Sequence, residues 1–145
     1  MTAREKKFFA LKYIGRLSEA GDRHMREQLR EKGLGHLSPS HCEILTFLGR
    51  ETTASPRRIA LAINRDKSTI TSLIRKLEDQ KLIKRKENDQ DARGFFLELT
   101  GAGKKACRVV LGIWRELNER SNAGLTARES EQLYKLLEKM YADFQ

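Results

Sequence analysis

Between Asp66 and Gln80 the side chains sort by chemistry as well as by hydrophobicity. Ile70, Leu73, Ile74 and Leu77 recur three and four residues apart and so share one face of a helix. At 100° per residue the opposite face carries Ser68, Ser72 and Arg75, flanked by Thr69, Thr71 and Lys76. Short hydroxyls let a helix approach base edges and phosphates closely, an arginine grips guanine through two hydrogen bonds, and a helix N-terminus attracts phosphate. A merely solvated helix has no need of Ser and Thr, which are poor helix formers away from the caps. A second set of cations follows, with Lys84, Arg85 and Lys86 on one side of an Asn-, Asp- and Gly-containing segment and Arg93 at its far end. There they suit a hairpin lying along a nucleic-acid backbone or in its minor groove. Asp89 and Asp91 would repel phosphate unless they serve structure, and Asp91 can hold Arg93 by a short-range ion pair. Lys84 to Lys86 have a plainer alternative as charges that guard a strand edge against aggregation.

Other constellations carry less. His24, His36, His41, Cys42 and Glu43 cluster within 20 residues, but consecutive residues point in different directions on a helix and the His-x3-His chelating spacing is absent. No metal site or cofactor is expected. Gly101-Ala102-Gly103-Lys104-Lys105-Ala106 imitates a dinucleotide-binding turn. It lacks the second parallel strand and terminal acid that such a site requires. No GxSxG, HExxH or paired-carboxylate pattern points to catalysis. Cys42 and Cys107 lie 65 residues apart without a CxxC, so two reduced thiols are expected. Cys42 adjoins Ile44 and Leu45 and reads as a buried thiol, and Trp114 reads as core or interface.

These candidate groups need elements to hold them. Arg4 to Lys32 reads as one long helix with the stripe Ala10, Ile14, Leu17, Gly21, His24 and Gln28, ended by Gly33 and Gly35. Ser38-Pro39 and Ser55-Pro56 each place a capping hydroxyl before a proline at the first helical position, opening helices to about Arg50 and Ile63. Asp66 caps the helix described above. Leu82 to Lys86 and Phe95 to Leu99 read as strands joined by a loop. Thr100 caps a long helix carrying Ala102, Ala106, Val109, Val110, Ile113 and Leu117. Thr126 and Glu129 form a capping box before the last helix, with Leu133, Leu136, Leu137, Met140 and Phe144. Helix, helix, helix, hairpin is the order of a winged helix-turn-helix. The expected fold is mainly α with a small β-hairpin wing, its core flanked by long N- and C-terminal helices that pack best against a second copy.

The chain has 145 residues, enough for one domain, and a net charge of +9. The excess is uneven. Residues 1–36 carry +4 and residues 57–93, with 11 basic and 6 acidic side chains, carry +5, whereas 37–56 carry −1 and 94–145 only +1. An anionic partner is implied, and the charged helix face and hairpin point to nucleic acid. No apolar stretch approaches the roughly 20 residues of a membrane span, and Lys12 and Arg16 interrupt the first apolar run before signal-peptide length. No membrane association and a cytoplasmic location are expected.

Ile59-Ala60, Asp66-Lys67-Ser68-Thr69-Ile70-Thr71, Leu77-Glu78, Leu82-Ile83-Lys84-Arg85, Asp91-Ala92-Arg93 and Leu97-x-Leu99-Thr100-x-x-Gly103 together resemble the MarR (multiple antibiotic resistance regulator) family of winged-helix transcription factors. The motifs span about residues 55–103 and the six-helix frame spans the chain; Lys81 stands where the family usually has glycine. The resemblance implies a single domain over 1–145, with residues 37–100 as a DNA-binding lobe and 4–32 and 101–145 as dimerisation helices. It implies a homodimeric, sequence-specific regulator of transcription on a pseudo-palindrome of double-stranded DNA, a repressor by the family's commoner mode. Asp66 to Gln80 would enter the major groove, where Ser68, Thr69, Thr71, Ser72 and Arg75 read or position. Arg57, Lys67, Lys76, Lys84 and Arg85 would hold phosphates, and Arg93 would enter the minor groove with Asp91 as its support. A small aromatic or phenolic effector would bind between the dimer helices and the lobe, with Arg16, His24 and His41 as polar candidates. Two other readings stay open: a winged-helix module that meets an acidic protein, and a metal- or thiol-responsive switch on the same scaffold.

Overall fold

Among the described residues six helices begin at six hydroxyl or carboxylate side chains, and those caps set the architecture. In the computed structural model, which describes residues 1–87 and 94–145, helix α1 (Ala3–Glu31) is capped by Thr2 and α2 (Pro39–Glu51) by Ser38. A two-residue strand β1 (Thr53–Ala54) precedes α3 (Pro56–Ile63), capped by Ser55, and α4 (Lys67–Asp79), capped by Asp66. Strands β2 (Ile83–Glu87) and β3 (Phe95–Leu99) lead to α5 (Gly101–Asn122), capped by Thr100, and α6 (Ala127–Ala142), capped by Thr126. Each cap oxygen accepts a backbone N–H that the first turn leaves without a helical partner. Pro39 and Pro56 occupy first-turn positions, where a missing N–H costs nothing. The fold is the expected winged helix with long flanking helices.

The sheet is antiparallel in the order β1-β3-β2, with Ile83 opposite Leu99, Arg85 opposite Leu97 and Ala54 opposite Leu97 on the other edge. Strand β1 was not foreseen. Two residues carry no periodicity, and only pairing with β3 makes them a strand. Ile44, Leu45 and Leu48 of α2, Ile59 of α3, Leu77 of α4, and Val110 and Ile113 of α5, all almost fully buried, share one core with Ala54, Ile83, Leu97 and Leu99 of the sheet. The first turn of α5 lies so close to the start of β2 that a Cβ on Gly103 would overlap the Leu82 carbonyl. Thr100 adds a hydroxyl bond of 2.6 Å to the Lys81 carbonyl. The base of the hairpin and the root of α5 are thus one unit.

The long helices behave differently. Of the expected α1 stripe Ile14, Gly21, His24 and Gln28 are half-buried and Ala10 and Leu17 exposed, and the side chains of α1 that are fully buried are Met25 and Leu29. Phe8 (77% exposed), Leu11, Tyr13 and Leu17 face outward. In α6 no residue is buried; Leu133, Tyr134, Leu136, Leu137, Met140 and Tyr141 are exposed, as is Phe144 just beyond it. Tyr141 reaches the lobe through Asn64, whose amide nitrogen lies 3.5 Å from its hydroxyl. No helix among the described residues is long and apolar enough to cross a membrane.

Candidate nucleic-acid interface

Helix α4 is set on the lobe by Ile70, Ile74 and Leu77, which are buried, with Leu73 packed beside them. Burying that stripe turns Ser68, Thr71, Ser72, Arg75 and Lys76 outward, and all five are exposed. The turn before it is tight, since Asn64 takes a left-handed conformation (φ 52°) to end α3. Asp66 then accepts the Thr69 backbone N–H at 2.8 Å, the Ser68 hydroxyl at 2.8 Å and the Thr69 hydroxyl at 3.1 Å. The backbone bond from Thr69, aided by the two hydroxyls, holds the Asp66 carboxyl below its ordinary range. Thr71 donates to the Lys67 carbonyl at 2.8 Å. Three of the five candidate reading groups therefore spend their protons on the helix itself, and their oxygens remain available as acceptors. Among the described residues, the side chains of Ser72 and Arg75 are engaged by no hydrogen bond.

Cations surround this face. Arg57, at the start of α3, and Lys67 flank a cleft of about 520 Å³ whose walls include Ile70, Thr71 and Phe95, so α3, α4 and the start of β3 meet around one opening. On β2, Lys84 lies 3.5 Å from Glu98 and Arg85 lies 3.2 Å from Glu78, while Lys86 is exposed. Arg93 and Asp91 lie outside the described residues. The face as a whole presents hydroxyls, a helix N-terminus and cations together, and it can hold an extended polyanion but offers no nucleophile or general base in a pocket.

Arg16, His24 and His41, expected to face an effector, line neither the cleft above nor the groove beside Trp114. Arg16 lies on the exposed half of α1, its guanidinium 5.7 Å from the Tyr13 ring. His41 is 4% exposed and belongs to the cap of α2. The Ser38 N–H donates to its Nδ1 at 3.0 Å, and the Ser38 hydroxyl lies 2.7 Å from the same nitrogen. Burial, reinforced by the charges of Lys76 and His36, pulls its pKa down to about 4. The ring is therefore neutral near pH 7, and its buried Nε2 has no hydrogen-bond partner among the described residues, as is also true of Nε2 of His24. No trio of His, Cys, Asp or Glu among the described residues is placed to hold a metal ion. The Cys42 thiol is pushed up to about 12 by burial and by Glu43, far from the thiolate range that reactivity needs. Cys107 is buried and also raised.

Sequence reasoning missed a groove of about 870 Å³ between α5, the end of α2 and the sheet. Leu99, Cys107 and Trp114 line it, together with Arg50, Lys104 and Arg108. Its residues come from four elements with no shared motif, so no local signal reveals it.

A family model described as the MarR family matches residues 37–94. The HTH-type transcriptional regulator BilQ of Clostridium symbiosum (strain WAL-14163) is 27% identical over 94 residues. That match covers 65% of this chain and 65% of the relative, so the chain spans just under two thirds of the relative's length. The structure of S. aureus MepR in complex with DNA superposes with a TM-score of 0.83 at 26% identity, covering 94% of this chain and 99% of that one. A mutant of MarR from E. coli complexed with operator DNA gives 0.81 at 20% identity, covering 97% and 99%, a likeness of fold alone.

Proposed function

We propose that this chain, whose residues 37–94 match the MarR family model, is a homodimeric transcriptional regulator of that family that binds double-stranded DNA sequence-specifically. The observation that carries this reading is the two-sided α4. Its buried Ile70, Ile74 and Leu77 leave Ser68, Ser72 and Arg75 on an exposed convex face beside a cationic hairpin. A helix so presented fits the major groove, where Ser68, Thr69, Thr71, Ser72 and Arg75 read or position. Arg57, Lys67, Lys76 and Lys84 hold phosphates, which fix register without carrying sequence information; Arg85, expected among them, is turned to Glu78 at 3.2 Å instead. By the family pattern Arg93 enters the minor groove with Asp91 as its support. MepR and MarR are solved on DNA, which supports the same docking here.

Residues 37–100 act as the DNA-binding lobe, and residues 4–32 and 101–145 as dimerisation helices. The uncovered apolar faces of α1 and α6 support this division, because patches of this kind mark interfaces. Two copies place two α4 helices one DNA turn apart on a pseudo-palindrome. The regulator acts as a repressor and responds to a small aromatic or phenolic ligand held between the long helices and the lobe. Such a ligand changes the spacing of the two recognition helices if it binds the two dimer states unequally. The groove beside Trp114, with its cationic rim, has the size and chemistry for an aromatic anion.

Arg75→Ala tests the assignment of α4. It is expected to weaken binding to the preferred duplex by about 1–3 kcal/mol and to relax the base preference at one position in each half-site. An unchanged selectivity profile at matched salt removes Arg75 from the reading face.

A further inference from the structure

The cations of β2 are not equivalent. Arg85 directs its Nε at both carboxylate oxygens of Glu78, 3.2 Å from Oε2 and 3.4 Å from Oε1, while its Nη2 lies 3.3 Å from Oε1. Its guanidinium carbon sits 4.2 Å from the centroid of the Phe95 ring. Glu78 belongs to the last turn of α4 and Phe95 opens β3, so this one side chain touches the recognition helix and both strands of the hairpin. The planar fork of arginine is used on the carboxylate and its flat face on the ring, geometry that lysine's point charge cannot reproduce.

An ion pair this exposed adds little stability, so its value lies in direction. The link between α4 and β2 passes through Lys81 in a left-handed conformation (φ 57°), and the Lys81 and Leu82 N–H groups bond back to the Glu78 and Leu77 carbonyls at 2.8 and 3.0 Å; these bonds hold the root of the hairpin, and Arg85 adds a contact to α4 further along β2. We propose that Arg85 is a positioning residue: with Glu78 and Phe95 it clamps the hairpin to α4 and sets the angle at which helix and wing meet adjacent grooves. This inference rests on the DNA-binding reading above.

The test uses the full-length protein, the duplex preferred by the wild type, and the variants Arg85→Lys, Glu78→Gln and their combination. Glu78→Gln removes a negative charge near DNA, so simple electrostatics calls for tighter binding, whereas a clamp calls for binding about tenfold weaker. Arg85→Lys keeps the charge but loses fork and stack. A similar loss is expected, with an unchanged slope of log K against log[salt] because no phosphate contact is removed. The double variant is expected to bind no more weakly than the worse single variant. Tighter or equal binding by Glu78→Gln, or wild-type binding by Arg85→Lys, overturns the clamp.

An arm without DNA separates the clamp from the function it rests on. In the free protein both single variants are expected to raise hydrogen exchange of the paired amides of β2 and β3 while α4 keeps its protection. Unaltered exchange overturns the clamp whether or not DNA binds. Absence of DNA binding by the wild type, together with raised exchange in the variants, overturns the functional reading and leaves the clamp standing.

Discussion

The same amphipathic periodicity has two fates in this molecule. Between Leu37 and Leu99 the apolar stripes of α2, α3 and α4 find each other, the sheet and α5, and Ile44, Leu45, Ile59, Leu77 and Leu97 are completely covered by their own chain. In α6 and the N-terminal half of α1 equally regular apolar residues are left in solvent, Phe8 at 77% exposure and Leu136 at 52% among them. Periodicity therefore identifies a face but not what covers it. The difference separates a lobe that builds its own core from helices whose apolar faces its own chain leaves uncovered, the faces proposed above to meet a second copy.

The largest expected effect falls on the helices. Leu133→Lys combined with Leu137→Lys is expected to convert a dimer into a 16.7 kDa monomer at micromolar concentration, measured by light scattering, while hydrogen-exchange protection in α2 to α4 is retained. Loss of that protection would show that the lobe depends on the dimer and would erase the distinction.

Gly103→Ala strikes the seam between the regions. A Cβ there meets the Leu82 carbonyl, and backbone cannot move aside as a flexible side chain can. A loss of about 3 kcal/mol or more in denaturant unfolding is expected.

His41 probes the lobe alone. Its pKa falls on folding from 6.5 to about 4, so the unfolded chain binds the proton more tightly between those values. The contribution is complete above pH 6.5 and is lost as the pH falls through 4, amounting to roughly 3 kcal/mol. Unfolding free energies measured from pH 7 to 4 should show that slope in the wild type and a shallower one in His41→Asn. The smallest effect is a gain. Lys81→Gly relieves a left-handed lysine and is expected to stabilise the lobe by about 0.5–1 kcal/mol in the same measurement.

What could be read from sequence was what is decided locally. Ser55-Pro56, Asp66, Thr100 and Thr126-x-x-Glu129 start helices where they do because a cap bonds residues within its own first turn. Phe95–Leu99 is a strand with the expected bounds. The buried stripe of α4, and hence its outward face, followed from spacing alone. Contacts made through turns were not legible. Arg85 meets Glu78 because Lys81 bends the chain between them, and β1 exists because β3 has a free edge. The groove beside Trp114 depends on four elements meeting. Ser68 and Thr69 were legible as small polar groups on the right face, but their bonds to Asp66 belong to the cap and appear only when the turn is built. Leu29, which lies outside the stripe traced along α1, is buried where that helix crosses the lobe.

Selection of bound sequences from a pool of random duplex DNA, using the purified full-length protein at fixed salt, tests the assignment of α4 and the division into lobe and dimer helices in one measurement. The expected result is a two-fold symmetric consensus whose half-sites lie about 10 bp apart centre to centre, with affinity that falls linearly in log[salt]. Recovery of no consensus, or of a single asymmetric site, contradicts it.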